Sequence, residues 1–158
     1  MIIRKIEKKD NLQVEQLIKT IMTEYACVGQ GFSIEDAEVK SMFEHYQDPG
    51  HIFYVIANED GKILGCGGIG QLKNADSDHC ELKKMYFYSE LRGLGYGSKL
   101  INMLIDFSKL HYKVIYIETM KNMTDALKLY HKCGFVYLDT GLGKTGHFNC
   151  DTFMALKL

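Results

Sequence analysis

The chain has 158 residues, 46% of them hydrophobic and 25% charged, with a formal net charge of -1. That composition fits one globular domain spanning 1–158, with no electrostatic pull toward nucleic acid or an anionic membrane. No apolar run approaches the ~20 residues that cross a bilayer, and the first residues, MIIRKIEKKD, lack signal-peptide anatomy, so the expected location is the cytoplasm. Cys27, Cys66, Cys80, Cys133 and Cys150 are odd in number and form no C-x-x-C pair, which predicts reduced thiols. His147-x-x-Cys150-Asp151 offers three possible metal ligands but no second cluster to complete a site, so no metal is expected.

In chain order, Ile2–Ile6 reads as a strand, and a helix follows from Asn11 to about Tyr25. Leu12, Leu17, Ile18, Ile21, Met22 and Tyr25 lie roughly along one side of it. Ser33 is a candidate N-cap for a second helix carrying Ala37, Met42 and Phe43 and ending near Gln47, before Pro49-Gly50. The apolar run Ile52–Ala57, then Asp60-Gly61, then Ile63 to about Leu72 reads as a hairpin, although Gly65, Gly67, Gly68 and Gly70 weaken its second strand.

Glu81–Tyr88 (ELKKMYFY) predicts a strand, and the spacing of Leu100, Met103, Leu104, Phe107 and Leu110 predicts a helix after it. Between them stands Arg92-Gly93-Leu94-Gly95-Tyr96-Gly97-Ser98. Glycines leave the backbone open to a ligand, and a helix start presents N–H groups without intrahelical partners. The turn is therefore a candidate pyrophosphate cradle, with Arg92 as a further cation. Val114–Thr119 follows as a strand buried on both faces. A helix capped by Asn122 or Thr124 comes next, with Ala126, Leu127, Tyr130 and Cys133 inward and Gly134 just past its end. Phe135–Asp139 and Thr152–Leu158 supply two antiparallel strands.

A dinucleotide fingerprint starting at Gly93 fails at its last glycine, where Ser98 stands, though Glu118 imitates the ribose-binding acid. A Walker loop at Gly143-Lys144-Thr145 fails because Leu138 occupies its leading glycine. R-G-L-G-Y-G instead matches, at Arg92, Gly95 and Gly97, the Q/R-x-x-G-x-G/A signature of the GNAT superfamily of N-acetyltransferases. Asn122, Ala126, Tyr130, Gly134 and Phe135 match its second segment, N-x-x-A-x-x-x-Y-x-x-x-G-F. The chain thus resembles that family loosely over nearly its whole length.

The resemblance implies an α/β (α+β) fold with one mixed, strongly bent sheet, helices on both faces, and a split between the fourth and fifth strands. It implies acetyl-CoA as co-substrate, bound by the turn residues Arg92 to Ser98 (Gly93, Leu94, Gly95, Tyr96 and Gly97 included). Strand residues Met85, Tyr86 and Phe87 would hold the pantetheine arm, with Asn122 and Tyr130 contributing from across the split. The acceptor would be an amine of a small molecule or peptide, acetylated directly in a ternary complex; a homodimer is left open. Glu81 is the candidate base, or else an ordinary exposed partner of Lys83. Tyr130 is the candidate acid toward the leaving thiolate, or else a core aromatic. Two other classes stay open: a silent acyl-coenzyme A sensor and a nicotinamide-nucleotide protein. Finally, the glycine-rich stretch 141–147 reads either as a plain hairpin or as a mobile lid. As a lid, Lys144 or His147 would meet a carboxylate or phosphate on the acceptor.

Overall fold

The computed structural model describes residues 1–158. Seven strands form one sheet: β1 (Ile2–Lys5), β2 (Ile52–Ala57), β3 (Ile63–Gln71), β4 (His79–Phe87), β5 (Val114–Thr119), β6 (Val136–Leu138) and β7 (Thr152–Lys157). Their order is β1-β2-β3-β4-β5-β7-β6, antiparallel throughout except between β4 and β5. No helix is long and apolar enough to cross a membrane, and all five cysteines are free.

Alternation along β2 assigns its residues to two cores. Ile52 and Ile56 join Leu100, Ile101 and Leu104 of α3 (Tyr96–Lys109) on one face. Phe53, Val55 and Ala57 join Val14, Leu17, Ile18 and Ile21 of α1 (Asn11–Glu24) on the other. Helices therefore cover both faces, as expected. Leu12 departs from the reading of α1: it is 65% exposed, and Val14 takes the buried position. The glycines of β3 make room for rings, since a Cβ at Gly68 would lie 2.4 Å from the Phe53 side chain.

The helix expected from Ser33 to Gln47 is broken. Two 3-10 turns, Ser33–Glu35 and Ala37–Lys40, precede a single turn of α-helix, α2 (Met42–His45). Asp36 between them is extended (φ -60°, ψ 132°) because its carboxylate is drawn inward to Lys84 and His147. The Ser33 hydroxyl makes no cap; it lies 3.3 Å from the Tyr86 hydroxyl. In α4 (Thr124–Lys132), neither Asn122 nor Thr124 caps the start; Met123 occupies that position. The end behaves as expected. Gly134 has φ +92°, its N–H bonds the His131 carbonyl, and the Phe135 N–H bonds the Tyr130 carbonyl, which closes the helix with a Schellman motif.

Two features of β4 create the site. Its parallel pairing with β5 covers only His79↔Val114, Cys80↔Ile115 and Glu81↔Tyr116; from Leu82 onward the edge is open. On its other side, the register with β3 slips between Cys66↔Tyr86 and Gly68↔Lys83, leaving Lys84 as a bulge residue with φ +53°. Positive φ costs a lysine roughly 1–2 kcal/mol. Its buried ammonium is compensated by the Ser33 carbonyl (3.0 Å) and the carboxylates of Asp36 and Glu38. Bulges re-aim the residues that follow, and here those are Met85, Tyr86 and Phe87.

Candidate active site

Where β4 and β5 part, two cavities meet. The larger, about 500 Å³, runs along the open β4 edge to the glycine turn. It is lined by Met85, Tyr86, Phe87, Arg92, Gly93, Gly95, Gly97, Ser98 and Tyr130 among the expected residues. The smaller, about 60 Å³, lies deeper, against Glu81, Glu118 and His147. Met85, Tyr86, Met123, Ala126 and Tyr130 border both.

The glycine turn is built for close approach. Gly95 caps α3 with φ +81°, and a Cβ built at Gly93 or Gly95 would meet nothing within 4 Å. The open side of this turn is thus the mouth of the groove. Tyr96, Gly97 and Ser98 form the first turn of α3, where N–H groups lack intrahelical partners and the helix dipole adds positive charge. Arg92 differs from expectation. Its guanidinium is already held by both oxygens of Glu24 (2.5 and 2.8 Å), and its Nε donates to the Phe87 carbonyl (3.0 Å). Leu94 is 62% exposed and, with Tyr96, stands outside the groove lining. Asn122 is outside as well; its amide donates to the Tyr25 carbonyl (3.2 Å), tying the end of α1 to the start of α4.

Tyr130 projects from α4 and is 5% exposed. Its hydroxyl makes no hydrogen bond within the chain, and burial alone raises its pKa, so it stays protonated. Ala126, Met123 and Leu129 share the same wall, with Ile21 and Tyr25 opposite. The sequence reading missed Met123, Leu129 and Ile21 as lining residues, because only the folded chain brings the end of α1 beside the start of α4.

The deeper cavity is charged. Glu81 is 5% exposed, which removes the reading of an exposed pair: Lys83 Nζ stands 4.0 Å away and lies closer, at 3.3 Å, to Glu38. No hydrogen bond within the chain reaches the Glu81 carboxylate, and burial raises its pKa. Burial would also raise Asp36, but His147 and Lys84 hold it down at about 2. Glu118 accepts hydrogen bonds from the Tyr116 hydroxyl (2.8 Å) and from Thr145. Burial works against a charge on His147. The carboxylates of Asp36 and Glu118 outweigh it and raise its pKa to about 9.

The stretch 141–147 is accordingly docked. His147 Nε2 lies 3.0 and 3.1 Å from the Asp36 oxygens, the Lys144 N–H donates to the Lys73 carbonyl, and Asn149 bonds Gln30 and Gly31. His147 is committed to carboxylates of its own chain, and Lys144 is exposed outside both cavities. The expected contact of either side chain with an acceptor anion is therefore not what the fold builds. Glu118 enters the sequence reading as a ribose-acid imitation, and His147 as a lid cation and as a possible metal ligand beside Cys150 and Asp151 rather than beside Glu118. Their meeting with Glu81 joins strands and a loop far apart in sequence.

Residues 14–135 match the acetyltransferase (GNAT) family. The chain belongs to the GNAT acetyltransferase family. The uncharacterized N-acetyltransferase YjgM of Escherichia coli K12 is 33% identical over 99% of this chain and 95% of its own length. Among solved structures, a GNAT-family acetyltransferase from Staphylococcus aureus Mu50 superposes with a TM-score of 0.80 at 18% identity, covering 99% of this chain and 98% of that one. A GNAT-superfamily phosphinothricin acetyltransferase from Sinorhizobium meliloti, solved in complex with AcCoA, gives 0.77 at 18% identity, covering 99% and 88%. At that identity the structures speak for the GNAT fold; the family match and the YjgM likeness make the chain a GNAT acyltransferase. Its open β4 edge and glycine turn occupy the part of the chain that the family match spans.

Proposed function

We propose that the chain moves an acetyl group from acetyl-CoA to a primary amine of a small molecule or peptide, directly within a ternary complex. The observation that carries this reading is the junction of the two cavities. The long groove from the glycine turn and the charged pocket at Glu81 meet at Met85 and Tyr130, so a thioester from one side and an amine from the other converge on one point. The S. meliloti relative holds AcCoA in the same fold.

The groove suits this co-substrate. Its turn end offers unpartnered N–H groups for phosphates, and its wall is an open strand edge that an amide-bearing arm can join as an extra strand. When bound, acetyl-CoA supplies an activated acyl carbonyl and a thiolate leaving group. The chain's residues do the rest. Glu81, the carboxylate in the pocket with no hydrogen bond within the chain, takes the proton of the entering ammonium, and its raised pKa suits that transfer near neutral pH. Backbone N–H groups just beyond the Lys84 bulge, that of Met85 foremost, would stabilise the developing oxyanion where β4 has no β5 partner. Tyr130 gives its proton to the departing sulfur.

The pocket also limits the acceptor. Lys83 is neutralised by Glu38 and Lys84 by Asp36, so no unpaired cation awaits an acceptor carboxylate. The acceptor is an amine without an anionic group near its nitrogen. The test is a panel of amines assayed by free-thiol release, with matched pairs such as an amino acid and its amide. Thiol release that requires an amine and favours the amide supports the reading. Acetyl-CoA binding with no amine-dependent release from any member overturns it.

A further inference from the structure

Glu81, Glu118 and His147 converge at the inner end of the charged pocket, with ligand atoms from all three within 4.8 Å of one another. His147 Nδ1 and Glu118 Oε2 are 3.3 Å apart, a separation that two ligands span on one tetrahedral ion when each bond is roughly 2.0–2.1 Å. The surroundings also have the form of a metal site. Nε2 of His147 faces Asp36, which fixes the ring with Nδ1 turned inward, as metal-bound imidazoles are commonly fixed by an outer carboxylate. The Tyr116 and Thr145 hydroxyls orient Glu118 in the same way. Glu81, 5% exposed and without a hydrogen bond in the chain, is aimed into the gap. Once a metal ion displaces the proton from Nδ1 of His147, the carboxylates of Asp36, Glu38, Glu81 and Glu118 exceed the ammonium groups of Lys83 and Lys84 by two charges.

We propose that Glu81, Glu118 and His147 bind a divalent cation of the zinc type, with the fourth position open toward the pocket. Nitrogen and carboxylate donors in a site of this size suit zinc better than magnesium, which demands an octahedron of oxygens. The bound ion draws on the lone pairs of Glu81 and occupies the place of the entering ammonium. It therefore inhibits in competition with the amine and not with acetyl-CoA. This consequence rests on the acetyltransferase reading; the metal binding does not.

The experiment titrates Zn²⁺ into the metal-free full chain by calorimetry, with metal analysis after dialysis. One equivalent is expected to bind. Glu118→Gln and His147→Gln should each weaken binding at least tenfold, and Asp36→Asn about tenfold through the imidazole. Circular dichroism identifies which variants fold, and Glu118→Gln, which keeps shape and two of its hydrogen-bond donors' positions, provides the decisive arm. Asp78→Asn removes part of the more exposed Asp76, Asp78 and His79 group and should leave the affinity unchanged. No binding by the wild type, binding lost in Asp78→Asn, or wild-type binding by folded Glu118→Gln and His147→Gln would each overturn the site. Zinc binding lost in the pocket variants, with no amine acetylated, would leave the metal site standing and remove the acetyltransferase reading. Amine acetylation untouched by bound zinc would overturn the competition with the amine and leave the acetyltransferase reading standing.

Discussion

The two cavities are built by opposite means. The long groove comes mostly from one continuous stretch, β4 through the glycine turn into α3, closed by a wall of α4. Its surfaces are largely apolar side chains and backbone. The charged pocket and its ion-pair network draw Asp36 and Glu38 from the turns after α1, Glu81, Lys83 and Lys84 from β4, Glu118 from β5 and His147 from the loop before β7. Here charges are buried in pairs, and the bulge at Lys84 is held by that pairing. A groove made locally tolerates changes elsewhere in the chain. A pocket made of interlocked ion pairs does not, because removing one partner leaves another buried charge uncompensated. One carboxylate in the network, Glu81, is left without a hydrogen bond, and the two cavities differ most at that residue.

The largest expected effect is there. Glu81→Gln keeps the shape and removes the proton acceptor, so turnover near neutral pH should fall roughly 10³-fold, within the range of lost general-base catalysis. The sign of the pH dependence follows from the raised pKa. Glu81 is active as carboxylate, so wild-type kcat/KM should drop as pH falls through a value above the ordinary 4.5. That acid limb should vanish in Glu81→Gln, and the deficit should shrink at high pH as the amine deprotonates in solution. An unchanged acid limb in the variant would return Glu81 to a structural role.

Next comes Tyr130, one of the residues that border both cavities. Tyr130→Phe should lower turnover roughly 10²-fold and leave the affinity for acetyl-CoA unchanged, since the ring remains packed near Phe135. Single-turnover rates and calorimetry separate the two effects, and equal losses in both would mean that the hydroxyl binds rather than protonates.

The same contrast explains what could be read from the residues. The turn, both flanking elements of β4, the hairpin at Asp60-Gly61 and the Schellman end at Gly134 rest on short-range rules of periodicity and glycine placement, and they stand where the residues indicate. The helix from Ser33 failed because Asp36, a tolerable helix residue, is drawn inward by partners 48 and 111 positions away. The Lys84 bulge carries no local mark, since lysine has no preference for positive φ. His147 looked like part of a mobile loop because its glycines are visible in sequence and its two carboxylate partners are not. The GNAT resemblance named Met85, Phe87, Gly95 and Gly97, which line the groove, but also Leu94, Tyr96 and Asn122, which do not, and it said nothing of Arg92's bond to Glu24.

On the groove side, Gly95→Val should weaken coenzyme A binding at least tenfold. The side chain stands in the open face, and φ +81° costs a β-branched residue about 2 kcal/mol of stability. Thermal unfolding checks the second part and calorimetry the first. A folded variant with wild-type affinity would remove the turn from the phosphate site.

The smallest effect concerns Arg92. Two of its N–H groups go to Glu24 and one to the Phe87 carbonyl. A guanidinium has five N–H donors, so two remain for a phosphate. Glu24 is then a negative charge placed beside an anion site. Glu24→Gln should therefore tighten coenzyme A binding by up to about fivefold, the scale of one partly exposed ion pair. The pair's side chains are 31% and 44% exposed, so unfolding stability should fall by no more than about 1 kcal/mol. Raising the salt concentration should shrink the affinity gain, because the charge removed is screened by solvent ions. Affinity unchanged at low salt would make Arg92 a strut between α1 and the turn. It would also leave the helix start and the glycine backbone as the whole of the anion site.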